Sequence, residues 1–200
     1  MMSPRVLDVS RLPPGAYGHR SILWWGTLGM VLIEGMAFAV AIAAYFYVRT
    51  RFTHWPPDGV PPDHLWGAIN TAVMIASCVP NELARRAGDR VDLKKVRLWM
   101  VVCVLLSCVF NLVRVQEFRH LNCDWDTNAY GSAVWFLLGL HTVHIVTDFL
   151  DTIVLTVLMF TGPIEERRFV DVSENSGYWY FVVLAWLPVY GVIYWAPRLI

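Results

Sequence analysis

The sequence predicts an all-α integral membrane protein, a bundle of five transmembrane helices with a cytoplasmic N-terminus and a periplasmic C-terminus. The first observation behind this fold class is composition. The 200 residues are 56% apolar and 16% charged, with a mean hydropathy of +0.47, whereas soluble domains are about 45–50% apolar and about 25% charged. The second is the presence of five apolar runs near the roughly 20 residues that a helix needs to cross a bilayer. This composition excludes a disordered chain and argues against a soluble globular domain.

The elements follow in order along the chain. Residues 1–20 form a polar segment without the hydrophobic core and cleavage site of a signal peptide, and we expect it in the cytoplasm. Residues 21–200 form the predicted five-helix membrane domain. Its apolar runs are bounded by charged residues, prolines or glycines, and the first and fourth are long enough to tilt or project beyond the bilayer. The predicted spans are Ser21–Val48, Leu65–Ala84, Val96–Val113, Ala129–Phe160 and Gly177–Trp195.

The orientation follows from the basic residues, which favour short cytoplasmic loops. With the N-terminus inside, the sixteen Lys and Arg residues divide about two to one in favour of the cytoplasmic side. The cytoplasmic set includes the run from Arg85 to Arg97. The periplasmic set is Arg49, Arg51, Arg114, Arg119 and Arg198.

The charge and the cysteine content argue against a nucleic-acid-binding protein, a zinc site and a disulfide-linked fold. Sixteen basic and sixteen acidic residues cancel, which gives no electrostatic reason to expect a nucleic-acid partner. The four cysteines lack the close CxxC spacing of a zinc site, and three lie within apolar stretches. We therefore expect them to pack as small apolar residues, without a disulfide framework.

Glu34 lies about halfway along the first predicted span. An unpaired charge near mid-bilayer costs at least about 2.5–3.5 kcal/mol on insertion scales, so burial favours the neutral acid unless a cation is close. Two readings remain open from the residue alone: a carboxyl that handles protons or contacts lipid headgroups, and a structural hydrogen bond to another helix.

The fourth predicted span carries His141, His144, Asp148 and Asp151 at offsets of three, seven and ten, which places them along one helical face. Together with Glu34, we expect them to form a buried polar core. The stripe rises by roughly 15 Å, too far for one metal site, and the two histidines alone are an incomplete ligand set. We therefore expect no metal in this chain. An interhelical polar seam, in which Glu34 pairs with one histidine, and a proton relay remain as interpretations.

Arg85, Arg86 and Arg90 belong to the basic run between the second and third spans. Such runs usually fix topology, and these three could also contact anionic lipid headgroups.

The order of several short motifs resembles subunit III of the haem-copper cytochrome oxidases, in a short five-helix form. None of the motifs is specific alone, but together they run in the family's order from about Trp25 to Trp195. They are Trp25-Gly26 with Glu34 and Tyr45-Phe46-Tyr47, Trp55-Pro56-Pro57-Asp58-Gly59-Val60, Asn70-Thr71 with Ala76-Ser77, Glu117-Phe118, Tyr130-Gly131-Ser132, Gly139-Leu140-His141-Thr142-Val143-His144, and Tyr178-Trp179-Tyr180-Phe181-Val182 through Tyr194-Trp195.

The resemblance implies a non-catalytic subunit of an enzyme complex that reduces dioxygen to water and translocates protons. Haem and copper would belong to the partner catalytic subunit I, and this chain would hold neither. The family implies packing against subunit I and other oxidase subunits, phospholipid binding and support of proton uptake. Glu34, His141 and His144 would be the inherited polar core. A bacterial inner membrane is the expected location.

The sequence also departs from the family pattern. Tyr180 and Val183 stand where the family has His and Asp, while Asp148 and Asp151 add carboxyls. This divergence keeps an accessory protein of a nitric oxide reductase as an alternative. An independent membrane transporter or hydrolase using the stripe from His141 to Asp151 is a further alternative. It is disfavoured by the incomplete ligand set and by the lack of paired broken helices.

Overall fold

The computed structural model describes residues 22–57, 60–162 and 166–199, so the predicted N-terminal segment 1–20 lies outside the described residues. Within these ranges all regular secondary structure is helical, which confirms the all-α class. Five long helices occur in this part of the chain. They are α1 (Ile22–Arg49), α2 (His64–Asp89), α3 (Leu93–Arg119), α4 (Ala129–Thr161) and α5 (Glu166–Tyr190), and α5 continues through a π-helical turn (Gly191–Trp195) into a short α6 (Ala196–Leu199).

Four of these long helical segments are apolar enough to cross a membrane: α1, α3, α4 and the continuous stretch that contains most of α5. The chain is therefore a multi-pass membrane protein. The second helix is 26 residues long, but polar residues such as Asn70, Asn81 and Glu82 interrupt its apolar sequence.

The helix bounds differ most from the predicted spans at α5. The apolar run predicts a start at Gly177, whereas the helix begins at Glu166. Five of the eleven intervening positions are charged, namely Glu166, Arg167, Arg168, Asp171 and Glu174, and this is compatible with a helix that extends beyond the hydrocarbon region. The third helix also exceeds its predicted span at both ends, running from Leu93 to Arg119.

Helix α5 packs against α1, α2 and α4, while α2 and α3 form an extensive antiparallel pair. Helix α1 packs mainly against α4 and α5. The larger apolar core contains Tyr45, Met74, Leu137, Leu138 and Trp186. A smaller core lies between the basic end of the α2–α3 pair and the adjoining ends of α4 and α5; it includes Val96, Met100, Met159 and Phe169.

Asp92 caps the start of α3 and lies just outside the membrane-spanning segment. Its carboxylate accepts a hydrogen bond from the backbone N–H of Lys95 and pairs with the Lys95 ammonium at 2.9 Å. The Lys95 side chain and backbone together lower the pKa of Asp92. The cap therefore stays ionised at neutral pH, the form that best accepts the backbone hydrogen bond.

Candidate functional site

The stripe predicted on α4 divides among different surroundings. His141 is fully buried, His144 is half-buried, and Asp148 is buried, whereas Asp151 is exposed. The sequence places Asp151 in the buried core, and the structure instead puts it at the bundle surface, where the Asn175 amide lies 3.4 Å from its carboxylate. A helical stripe that is ten residues long passes from the bundle interior to its edge.

Glu34 lies beside His144 and Tyr178, and we call these three residues the Glu34 cluster. The Tyr178 hydroxyl donates a hydrogen bond of 2.8 Å to Glu34 Oε2. His144 Nε2 lies 3.7 Å from the same oxygen. The predicted neighbourhood of Glu34 and a histidine is therefore present, and it joins α1, α4 and α5.

The backbone fixes which nitrogen of His144 faces the carboxyl. His144 Nδ1 lies 2.7 Å from the carbonyl oxygen of Leu140, which can only accept a hydrogen bond, so Nδ1 carries the proton. In the neutral ring, Nε2 then presents its lone pair towards Glu34. The 3.7 Å separation of these two atoms is longer than a hydrogen bond, so the imidazole faces the carboxyl without bonding to it directly.

A second polar cluster, the Arg114 cluster, lies around the fully buried Arg114 and contains Glu117, Asn70, Tyr194 and His141. Arg114 Nη1 and the Asn70 amide donate to Glu117 Oε2 at 2.8 and 3.0 Å, and the Tyr194 hydroxyl donates to Oε1 at 2.6 Å. These contacts connect α2, α3 and the π-helical turn. The guanidinium also lies 4.2 Å from the centre of the Trp186 ring.

The Arg114 cluster holds His141 in one state. Arg114 Nη2 is 3.1 Å from His141 Nδ1, and a guanidinium can only donate, so Nδ1 accepts. The opposite nitrogen, Nε2, donates to the carbonyl of Val182 at 3.1 Å. Both ring positions are thus committed in a neutral imidazole. His141 is a structural link between α3, α4 and α5, whereas His144 is the histidine that faces Glu34.

The sequence analysis missed Arg114 as an interior residue and counted it with the periplasmic basic residues. The structure corrects this, because Arg114 is 1% exposed within α3. The available signal was the spacing of Arg114 and Glu117, three residues apart, which allows an ion pair on one helix. Asn70 and Thr71 of α2 both make hydrogen bonds to other helices, since the Asn70 amide donates to Glu117 of α3 and the Trp186 indole of α5 donates to Thr71 Oγ1 at 2.7 Å.

Asp148 is 4% exposed, and its Oδ1 has no hydrogen-bond partner among the described residues. No hydrogen bond among the described residues joins it to either cluster, although it lines a groove that Tyr178 of the Glu34 cluster also lines. No group of three or more His, Cys, Asp or Glu side chains in the described ranges is arranged to hold a metal ion.

The basic residues proposed for lipid headgroups have carboxylate partners of their own. Arg85 pairs with Glu82 at 2.8 Å and Asp89 at 3.0 Å, and Arg86 pairs with Glu82 at 2.7 Å. Arg90 is exposed at the end of α2. The charge available to an anionic headgroup is therefore smaller than the sequence run indicates.

Comparison with known proteins finds similarity to one family over almost the whole chain. The family model described as "Cytochrome c oxidase subunit III" matches residues 18–197. The chain is 31% identical over 176 residues to a probable cytochrome c oxidase subunit 3 of Mycobacterium tuberculosis, covering 84% of this chain and 85% of that protein. It is 25% identical over 187 residues to the cytochrome c oxidase subunit 3 of Synechocystis sp., covering 90% and 78%. The protein of the same name from Thermostichus vulcanus is 24% identical over 186 residues, with 92% of each chain covered.

These matches agree with the motif order and with the all-helical fold. The chain belongs to the cytochrome c oxidase subunit III family, the family of subunit III of the haem-copper oxidases.

Proposed function

We propose that this chain is the non-catalytic subunit III of a haem-copper terminal oxidase, located in a bacterial inner membrane. The observation that carries the proposal is the family match over residues 18–197. The partner subunit I would hold the haem and copper and reduce dioxygen. This chain would pack against it and stabilise the complex, bind phospholipid and support proton uptake.

The proposed arrangement in the membrane is five spans, with residues 1–20 in the cytoplasm and the C-terminus in the periplasm. Removing Arg114 from the periplasmic loops strengthens this orientation, because it increases the excess of basic residues on the cytoplasmic side. Helix α2 is proposed as the fifth span because its polar residues Asn70 and Asn81 are buried and hydrogen-bonded inside the bundle. Its apolar residues can then face lipid.

The two polar clusters would have different roles in this subunit. We assign the Arg114 cluster to holding α2, α3, α4 and α5 together. We assign the Glu34 cluster to proton handling, because the Nε2 atom of His144 faces the Oε2 atom of Glu34. Unlike His141, His144 has no arginine bonded to its ring in the described part of the chain. This division supports a role in proton uptake without a catalytic centre in the chain.

Affinity purification in mild detergent tests the proposal. The tagged chain should bring down subunits with haem spectra and a copper content, and the preparation should consume dioxygen. Turnover of nitric oxide by a partner without copper would replace the oxidase with a nitric oxide reductase. Recovery of the chain alone, with no haem protein, would contradict both assignments.

A further inference from the structure

Asp148 lines a groove between α1, α4 and α5. The volume of the groove is about 510 Å³. Apolar side chains from α1 and α4 form much of its wall, including Leu23, Met30, Val154 and Leu158. The groove is therefore in contact with the membrane-facing part of the bundle, yet its remaining lining is strongly acidic.

Carboxyl groups from two helices line the same groove. Asp148 and Asp151 are one turn apart on α4, and Asp171 and Glu174 are one turn apart on α5. Arg168 is the basic side chain among the described residues of the lining. Four acidic groups against one basic group give this part of the bundle a negative potential that attracts cations from the adjacent water.

Asp148 differs from the other three because it is 96% buried and its Oδ1 accepts no hydrogen bond among the described residues, while it still lines the groove. Inside a membrane, ionisable side chains usually face a cavity or a partner and mark a pathway. A buried carboxylate without a partner is costly, and binding a proton removes that cost.

Among the described residues, the charged groups that line the groove with Asp148 are acidic except for Arg168. Cys103 of α3 faces Asp148 across a narrow cavity that also contains Ser77, Asn81 and Ser107. On its own helix the neighbour is Asp151, and on α5 the neighbours are Asp171, Glu174 and Tyr178, with Arg168 at the same groove. The groove-lining residues of α1, which are Leu23, Thr27 and Met30, carry no charge.

Tyr178 connects this groove to the Glu34 cluster. Its side chain lines the groove, and its hydroxyl donates to Glu34 Oε2 at 2.8 Å. A proton that enters the groove is therefore close to a side chain that is already hydrogen-bonded to the carboxyl of Glu34.

We propose that Asp148 is a proton-loading site, reached through the acid-lined groove between α1, α4 and α5. Asp148 accepts a proton from water in the groove, holds it as a neutral carboxylic acid, and returns it to water when it ionises. Asp151, Asp171 and Glu174 draw protons towards the groove. This inference deepens the proposed role in proton uptake and rests on the proposed function for its use by an oxidase, but the site itself belongs to this chain.

Infrared difference spectroscopy of the full chain in lipid nanodiscs tests the site without any partner. Lowering the pH should produce the carbonyl stretch of protonated carboxylic acids, and one component should be lost in Asp148→Asn. That component should shift on transfer to D₂O as fast as the buffer is exchanged, because the groove admits water. Asp89→Asn is the matched control, since Asp89 is an exposed carboxyl on α2 outside the groove, and it should retain the component.

A second measurement uses the unaltered chain and does not depend on the folding of a variant. A hydrophobic carbodiimide adds the O–H of a protonated carboxylic acid across one of its C=N bonds, and the adduct rearranges to a stable N-acylurea. Mass spectrometry of labelled peptides should find this adduct at Asp148, and raising the pH should abolish it.

The inference is overturned if Asp148→Asn folds and leaves every carbonyl component in place, or if the unaltered chain gives no adduct at Asp148 at any pH. A carboxylate that stays ionised because it binds an ammonium group from lipid or protein would give that second result. Failure of the oxidase assignment would appear separately, as the absence of haem subunits in the affinity purification.

Discussion

Glu34 and Arg114 show two ways in which one membrane bundle accommodates an ionisable side chain. Glu34 is half-buried beside groups that can share a proton with it, namely Tyr178 and His144. Arg114 is fully buried, and Glu117 balances its charge at 2.8 Å. In the first environment a hydroxyl group contacts the carboxyl, whereas in the second a guanidinium and a carboxylate form a buried ion pair.

Replacement of Glu34 by Gln should leave the subunit assembled and shorten the turnover lifetime of the oxidase or slow its proton uptake. The amide can still accept from Tyr178 but cannot carry a proton. Proton uptake and turnover lifetime, measured on the purified complex, check this expectation. Tyr178→Phe is the matched control, because it removes the hydrogen bond and keeps the carboxyl. Unchanged uptake and lifetime in a fully assembled Glu34→Gln complex would contradict the role given to Glu34.

Replacement of Arg114 by Met should destabilise the bundle by about 3–5 kcal/mol, the usual cost of leaving one member of a buried ion pair alone. The double variant Arg114→Met with Glu117→Gln should recover much of that loss, since no uncompensated charge remains. Unfolding of the purified chain in denaturing detergent measures both values. Equal stability of the single and double variants would show that Glu117 is not ionised against Arg114.

At the scale of the elements, the contact between α2 and the π-helical turn depends on Gly67. A Cβ atom at this position would lie 2.5 Å from Cζ of Tyr194. The tyrosine cannot easily move away, because its hydroxyl donates to Glu117 at 2.6 Å. The absence of a side chain on α2 therefore allows the aromatic ring to reach the Arg114 cluster.

Gly67→Ala should accordingly cost about 1–3 kcal/mol, the range for overpacking a well-filled interior. Gly139→Ala provides the control, since nothing lies within 4 Å of a Cβ atom at that position of α4, and alanine is the better helix former. Thermal unfolding of both variants in the same detergent checks the contrast. A Gly67→Ala chain as stable as the Gly139→Ala chain would refute the close packing of Tyr194.

The sequence predicts the helices well where apolar length decides their extent. The predicted bounds of α1 and α4 agree with the structure to within one residue at each end. In both cases the apolar run and the helix cover almost the same residues. They do not coincide at α5, where charged residues from Glu166 onwards continue the helix outside the apolar run.

The candidate site is predictable only in part, for a related reason. Periodicity places His141, His144 and Asp148 on one face of α4, but it carries no information about which neighbouring helix each residue meets. Arg114 and Tyr194, which lie far apart in the sequence, complete the surroundings of Glu117 only after the helices have packed. Glu34 was identified because a carboxyl in an apolar span is unusual in any packing.

On the scale of the whole molecule, the number of spans determines where the chain ends. Five spans place the C-terminus in the periplasm, whereas four spans, with the more polar α2 outside the hydrocarbon, would return it to the cytoplasm. The loop between α2 and α3 is cytoplasmic in the proposed arrangement.

Reporter fusions measure this difference directly. Alkaline phosphatase joined after Ile200 should be active, because this enzyme matures only in the periplasm, and a green fluorescent protein inserted after Val91 should fluoresce. Fluorescence of a fusion at Ile200, together with inactive phosphatase there, would contradict the five-span topology.

The packing of α1 also has a consequence for biosynthesis. This helix leaves the ribosome before the other four, yet it packs mainly against α4 and α5, and the tyrosine bonded to Glu34 follows 144 residues later. Until those residues are translated, α1 lacks the helices against which it packs and Glu34 lacks the hydrogen bond from Tyr178. Docking of α5 is then the step that gives Glu34 the hydrogen bond from Tyr178, so the nascent chain acquires this bond only after α5 has been synthesised.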